Sequence, residues 1–426
     1  MLNKFFENSK VFNEFINVTK EFNKFSESVI PLCAAENRLS PFARLPLSSD
    51  MQERYIMGGM FNYDINKNFI GSEYLLPFYK LINRQCNILF GSSYADARTL
   101  SGMNSITTVL MSLFNQDSTI MLSMPECGGH PSLPEICRRL GLRIIPIPYN
   151  YEMYDFDYVE TNKILKKKNI DAIVLVTSDI ICPPKINHFI VPENTLIIYD
   201  ATQTLGLISG GVIGNPINQN ENIILTGGTH KTLPGPTCGL ILTKNEEIAR
   251  KLDSSINPKF IRNTQMHQIL SLLLTLIEME FFGKEYAAKI VENANILGKA
   301  LEDRKFNVAA VGNKYSYTHQ LFIHTSKNDM DYLFRQAIQW GITLNKKEKK
   351  LFRNYGIRLG VQEISRYNWG YDELLIVAKI FDKIMRRDKD EGYIQKMINS
   401  ISNKKILHYA FSNEVVTKIR DKLQKN

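Results

Sequence analysis

"IILTGGTHKTLPGPTCGLIL", residues 223–242, sets a lysine on a tight turn between two apolar runs. The first run ends in two glycines, Thr229-His230-Lys231-Thr232 follows, and a Pro/Gly turn leads into the second run. Near-continuous apolar runs of this length read as strands buried on both faces. Lysine is costly to desolvate, so a lysine at the end of such a strand calls for a chemical reason. A P-loop is the nearest rival, but it needs Gly directly before the Lys and another Gly five residues earlier. His230 and Leu225 occupy those positions, so nucleotide hydrolysis is set aside.

Working outward, "STIMLSM" (118–124), "RIIPIP" (143–148), "DAIVLVTS" (171–178) and "TLIIYD" (195–200) also read as strands, with helical patterns between them. Together with 222–228 and 239–243 they predict a mostly parallel sheet covered by helices on both faces, an α/β fold. Residues 266–305 read as helix. A smaller α/β pattern follows, with strands near 307–311, 319–326 and 355–360, then helices from about 370. Residues 1–30 space Phe5, Phe12, Phe15, Phe22 and Phe25 as an amphipathic helix does, and its apolar side needs a partner in the same or a second subunit. The expected division is a helical arm and segment over 1–50, a large domain over 51–290 and a small domain over 291–426.

With 426 residues, 44% hydrophobic and 22% charged, the composition is globular. The six cysteines have neither CxxC pairing nor zinc spacing, so no metal is expected, and reduced, packed thiols in a cytoplasmic compartment are. No signal-peptide pattern opens the sequence, and "ILSLLLTLIEMEFF" (269–282) reads as a buried helix rather than a membrane span. Net charge is +9. Its clusters, "KKK" at 166–168 and "NKKEKKLFR" at 345–353, accompany no nucleic-acid module and read as solvated faces. Neither a nucleic acid nor a membrane is expected as partner.

In an open parallel sheet, ligands sit beyond the carboxyl ends of the strands. The polar residues there are Ser178, Asp200 with Gln203, and Thr229-His230-Lys231. A lysine can form an imine with an aldehyde, and a carboxylate can hold a pyridine nitrogen protonated. Those are the demands of pyridoxal phosphate (PLP). Ser101-Gly102-Met103-Asn104, just before an apolar-periodic helix, would offer backbone N–H groups to its phosphate.

These residues bring a family into view. "TGGTHKTLPGPTCGLIL" resembles the Schiff-base segment of serine hydroxymethyltransferases, T-T-T-H-K-T-L-x-G-P-R-G-G. In the same order, "LCAAENRLSP" (32–41), "GSEYLLPFYKL" (71–81), "LSGMNSI" (100–106), "PECGGHPS" (125–132), "YDATQTLGLISGG" (199–211) and "YGIRLGVQEISRYNW" (355–369) resemble further motifs of that family. The resemblance implies the PLP-dependent transferase fold type I. It would have a large domain around a mostly parallel seven-stranded sheet, a smaller C-terminal α/β domain and an N-terminal helical arm. It also implies an amino-acid substrate and a homodimer with the active site at the interface. By the same resemblance Lys231 forms the imine with PLP, Asp200 pairs with the ring nitrogen and His130 stacks on the ring. Ser101 and Gly102 bind phosphate, Ser178 lies beside the ring oxygen, and Gln203 and His230 border the cofactor. Tyr55 reaches the phosphate of the neighbouring subunit, and Arg358 clamps the substrate carboxylate.

The departures bear on the reaction. The family's catalytic glutamate falls on Met57, a tyrosine on Phe69, the serine of S-E-N on Ala35, a histidine on Gln203 and an arginine on Thr237. "NPKFIRNTQM" (257–266) stands where the family has a glycine-rich phosphate turn. A thioether exchanges no protons, and general acid–base help is commonly worth ~10²–10⁴ in rate. Glu36, on the substrate side, and Glu53 are candidate substitutes. The expectation is a PLP enzyme that makes or breaks a Cα–Cβ bond of a β-hydroxy amino acid without folate, as aldolases and transaldolases do. Hydroxymethyl transfer with a displaced base, transamination, racemisation and a non-catalytic role remain open.

Overall fold

The computed structural model describes residues 9–61 and 69–424; Phe5 of the arm lies outside them. Seven strands form the main sheet: β1 (Tyr94–Asp96), β2 (Thr119–Leu122), β3 (Arg143–Pro146), β4 (Ala172–Val176), β5 (Leu196–Asp200), β6 (Ile223–Gly228) and β7 (Gly239–Thr243). Their spatial order is β1-β7-β6-β5-β4-β2-β3. All neighbours run parallel except β7, which is antiparallel to both β6 and β1. Every residue of β4, β6 and β7 is buried, as runs covered on both faces must be. Each fully buried Val, Leu or Ile contributes ~1.5–3 kcal/mol, so these strands anchor the fold.

Register fixes the site. In the parallel ladder Val176 pairs with Asp200 and Asp200 with Thr226, so β4 and β5 end level and β6 runs two residues further. The residues just past those ends, Ser178, Thr202 and Lys231, therefore open onto one edge of the sheet.

The smaller sheet contains β8 (Asn307–Val308), β9 (Gln320–His324), β10 (Asn345–Lys349) and β11 (Asn354–Gly360), all antiparallel, in the order β8-β9-β11-β10. Helix α1 is Lys10–Ser28 and α2 is Gly102–Leu113. A 37-residue helix, α3 (Met266–Glu302), links the two sheets and runs unbroken through residue 290. Its apolar stretch is mostly buried, although by length and composition alone it could cross a membrane. The segment after α1 turns toward the smaller sheet: Ile30–Pro31 pairs in parallel with Ile342–Thr343, and Gln362 Nε2 donates to the carbonyls of Cys33 and Glu36.

Helix α1 buries none of its residues, and Val11, Phe15, Val18, Phe22 and Phe25 are exposed along it. Its C-terminal end is held by Lys405, whose ammonium donates to the Ser26 and Glu27 carbonyls (3.0 and 2.9 Å). All six cysteines are free, and five are buried.

Strands β1 and β10 escape the pattern reading. The first is three residues long. The second, "NKKEK", has no apolar face, because its inward side chains are Asn345, Lys347 and Lys349. The 345–353 cluster is therefore only half a solvated face, whereas Lys166, Lys167 and Lys168 are exposed as expected.

Candidate active site

The lysine turn is the hairpin between β6 and β7. Thr229 closes it, donating from Oγ1 to the Pro236 carbonyl (2.6 Å) and accepting at its own carbonyl from Gly235 N–H (2.8 Å). Thr232 ties the turn to the end of β5: its hydroxyl donates to the Gln203 carbonyl (3.0 Å) and accepts from Gly206 N–H (3.1 Å). Asn37 holds the Lys231 carbonyl through Nδ2 and also donates to the Tyr286 hydroxyl (2.8 Å). Lys231 is thus positioned through its backbone, leaving its amine for chemistry. Burial lowers that amine to about 8, Arg358 pushes in the same direction, and Asp200 opposes them.

Asp200 accepts at Oδ1 from both the N–H (2.8 Å) and the hydroxyl of Thr202. The Thr202 hydroxyl in turn accepts from Gly228 N–H (2.8 Å). One carboxylate oxygen is therefore fixed, while Oδ2 carries no hydrogen bond among the described residues. Burial raises the Asp200 carboxyl; the Thr202 bonds and Lys231 oppose that.

Beside this pair α2 begins. Ser101 caps it, its hydroxyl accepting from Asn104 N–H (3.2 Å). A Cβ on Gly102 would lie 2.6 Å from the Gly228 nitrogen and 2.7 Å from Thr202 Oγ1, so only glycine fits. The N–H groups of Gly102 and Met103 make no hydrogen bond among the described residues, as expected of a free helix start.

His130 arrives from the bend after β2, where its N–H donates to the Val176 carbonyl (3.1 Å). Ser132 N–H donates to its Nδ1 (3.3 Å). Burial, Lys231, Lys347 and Lys349 lower its pKa, Asp179 opposing, so the ring is neutral at pH 7. The Ser178 carbonyl accepts from Arg358 Nη1 (2.9 Å) and Gln320 Nε2 (3.0 Å), and Gln320 also donates to buried Gln203 Oε1 (3.0 Å). His230 is half-buried, and its Nδ1 lacks a partner among the described residues.

Arg358 stands on β11 paired with Asn345 on β10. Its Nε and Nη2 donate to Asn345 Oδ1 (3.3 and 2.7 Å), and Nη1 to Asp179 Oδ1 (2.7 Å). Asp179 also receives Lys347 (2.9 Å) and Lys349 (2.7 Å). Burial by itself would raise the Asp179 carboxyl, but Arg358, Lys347 and Lys349 together hold it well below the usual range.

Lys231, Asp200, His130, Ser178, Gln203 and Arg358 thus share one crevice with Ser101 and Gly102. Two candidates stand apart. Glu36 is exposed and is bonded through its backbone, its N–H donating to the Cys33 carbonyl (3.3 Å) and its carbonyl accepting from Gln362. Tyr55 is exposed and stacks on Phe69 (ring centroids 4.5 Å). Met57 is buried; its loop is pinned by Asn263 and Asn257, which accept from the Ile56 and Gly58 N–H groups (3.2 and 3.1 Å). Those asparagines come from the segment that replaces the family's glycine-rich turn. Asp179, Thr202, Asn37 and the lysine pair were missed. Asp179 had a signal, since it adjoins Ser178 at a strand end.

The sequence model described as "Serine hydroxymethyltransferase" matches residues 9–381. Similar proteins include the serine hydroxymethyltransferases of Pyrobaculum arsenaticum, 29% identical over 90% of this chain and 91% of that protein. That of Sulfolobus acidocaldarius is 27% identical over 96% of each. Among solved structures, L-threonine transaldolase from Pseudomonas fluorescens in its internal aldimine state superposes with a TM-score of 0.91. It covers 100% of both chains at 21% identity, a likeness of fold. The crevice suits pyridoxal phosphate on its own terms. Gly102 leaves a cradle that a Cβ would fill, the unbonded N–H groups at the start of α2 suit a phosphate, and Thr226 Oγ1, beside Asp200 in the ladder, is buried without a partner among the described residues. A match over most of the chain and a crevice with that chemistry lead to one conclusion: the chain belongs to the serine hydroxymethyltransferase family, has the type I fold of PLP-dependent transferases, and is an enzyme that uses pyridoxal phosphate.

Proposed function

We propose that the enzyme makes or breaks the Cα–Cβ bond of a β-hydroxy amino acid without folate. The observation that carries this reading is the buried thioether of Met57 at the family glutamate's position, in a chain that retains Lys231, Asp200 and Arg358. Bound pyridoxal phosphate supplies an electron sink for the pair released at Cα. Lys231, with its amine lowered to about 8, holds the cofactor and moves the α-proton. Asp200 Oδ2 keeps the ring nitrogen protonated, Oδ1 being fixed by Thr202. The neutral imidazole of His130 covers the ring face, and Arg358 orients the substrate carboxylate. Ser101 and Gly102 hold the phosphate; Ser178, Gln203 and His230 border the ring.

A second copy of the chain completes this reading. The exposed Phe15, Phe22 and Phe25 of α1 call for a covering surface, and exposed Tyr55 is free to reach a neighbour's phosphate. Six free thiols suit a reducing, cytoplasmic compartment.

The test follows aldehyde release from L-threonine and L-serine with and without tetrahydrofolate, together with exchange of the glycine α-hydrogen into deuterium oxide. Exchange, and aldehyde release at equal rates with and without the folate, are expected. Turnover only with folate would instead favour hydroxymethyl transfer with a displaced base, and absence of exchange would end the carbanion reading.

A further inference from the structure

Asp179 is a fully buried carboxylate surrounded by three cations. Lys347 and Lys349 follow Asn345 at every second position of β10, on the face it shares with Arg358, its partner on β11. One cation would neutralise Asp179, and Arg358 already does so at 2.7 Å. Two further ammonium groups leave the cluster with a net charge of +2, and like charges gathered in a poorly solvated place repel one another. As a latch between the sheets the arrangement is over-supplied.

The surplus also has free bonding capacity. Among the described residues Lys347 donates to Asp179 alone; Lys349 donates to Asp179 and to the Pro125 carbonyl (3.0 Å). An ammonium carries three donors, so both lysines retain unused N–H groups among the described residues. Their side chains are 20% and 17% exposed, open enough to meet a ligand. The cluster belongs to the same crevice as the reactive lysine, because Arg358 and Asp179 act on Lys231 while Lys347 and Lys349 act on His130.

Resting on the reading of Arg358 as the clamp for an amino acid's carboxylate, we propose that Lys347 and Lys349 form a second anion subsite. The natural substrate then carries another negative group, a carboxylate or a phosphate, besides its α-carboxylate. One monoanion would leave the cluster at +1; a dianion brings it to neutrality.

The test is calorimetric binding to the holoenzyme of succinate, 3-phosphonopropionate and butyrate, none of which has an amino group to react with the cofactor. Charge-assisted hydrogen bonds to the second group predict succinate or the phosphonate at least about tenfold tighter than butyrate. The tighter of the two identifies the group. Lys347→Gln with Lys349→Gln should abolish the preference, and Lys347→Arg with Lys349→Arg should keep it. Equal affinity of all three ligands for the unaltered enzyme, or a preference that survives in the Gln pair, overturns the subsite. Glycine α-hydrogen exchange is independent of this outcome, so the loss of one reading is distinguishable from the loss of the other.

Discussion

Lys231 should capture its cofactor as an amine that titrates near pH 8. An ordinary lysine has a value of 10.5; burial and the Arg358 guanidinium bring this one down to about 8. Only the neutral amine attacks an aldehyde. Below both values its population rises tenfold per pH unit, so Lys231 holds ~300-fold more neutral amine than a free lysine. The assay is stopped-flow capture of pyridoxal phosphate by the apoprotein from pH 6 to about 10.5, divided by the rate for a lysine peptide to remove the cofactor's own titration. Borohydride trapping and peptide mass spectrometry assign the adduct to Lys231. The normalised rate should stay level to about pH 8 and then fall about tenfold per unit as the free lysine catches up. Arg358→Gln removes the second cause and should move the bend to higher pH. Linkage has the matching sign: from pH 8 to 10.5 the unfolded chain holds the extra proton, so this residue's contribution to apoprotein stability rises through that window. A normalised rate still level at pH 10 would refute the argument.

Gly102→Ala puts a methyl 2.6 Å from the Gly228 nitrogen, and such overpacking costs ~1–3 kcal/mol. Cofactor affinity, read by fluorescence titration, should fall about 10–100-fold. Thr202→Val frees Asp200 Oδ1 from one bond and leaves Gly228 N–H without its acceptor, a loss of ~1–3 kcal/mol. Glycine α-hydrogen exchange should slow, and Thr202→Ser should restore it. Trp369 is 1% exposed and donates to the Lys404 carbonyl (2.7 Å), so Trp369→Ala should destabilise the small domain by ~3–5 kcal/mol, seen as a lower thermal midpoint.

What the sequence disclosed and what it withheld divide along physical lines. Strands β2 to β7 were legible because burial on both faces writes continuous apolar runs, and their polar ends named Ser178, Asp200 and Lys231. Residues 266–302 were legible as a helix for the same reason. Strand β10 was not, since alternation of lysine with lysine carries no apolar signal, and its inward side is chosen by Asp179, which lies 168 residues before Lys347. Thr202 and Asn37 act through short bonds to Asp200 and to the Lys231 backbone, contacts that exist only after the strands align.

The two ends of the crevice then make one electrostatic arrangement. Asp200 lies on the sheet side of Lys231 and opposes the lowering of its amine; Arg358 lies on the small-domain side and strengthens it. Asp179, which also opposes that lowering, bonds the same guanidinium and tempers its push. Reactivity at Lys231 and selection of charge at Arg358 are therefore coupled through one carboxylate. An anion arriving at Lys347 and Lys349 would add negative charge on that side and raise the Lys231 amine. Saturating succinate should accordingly move the bend in the apoprotein's capture rate to higher pH, and a capture profile blind to succinate would uncouple the two ends.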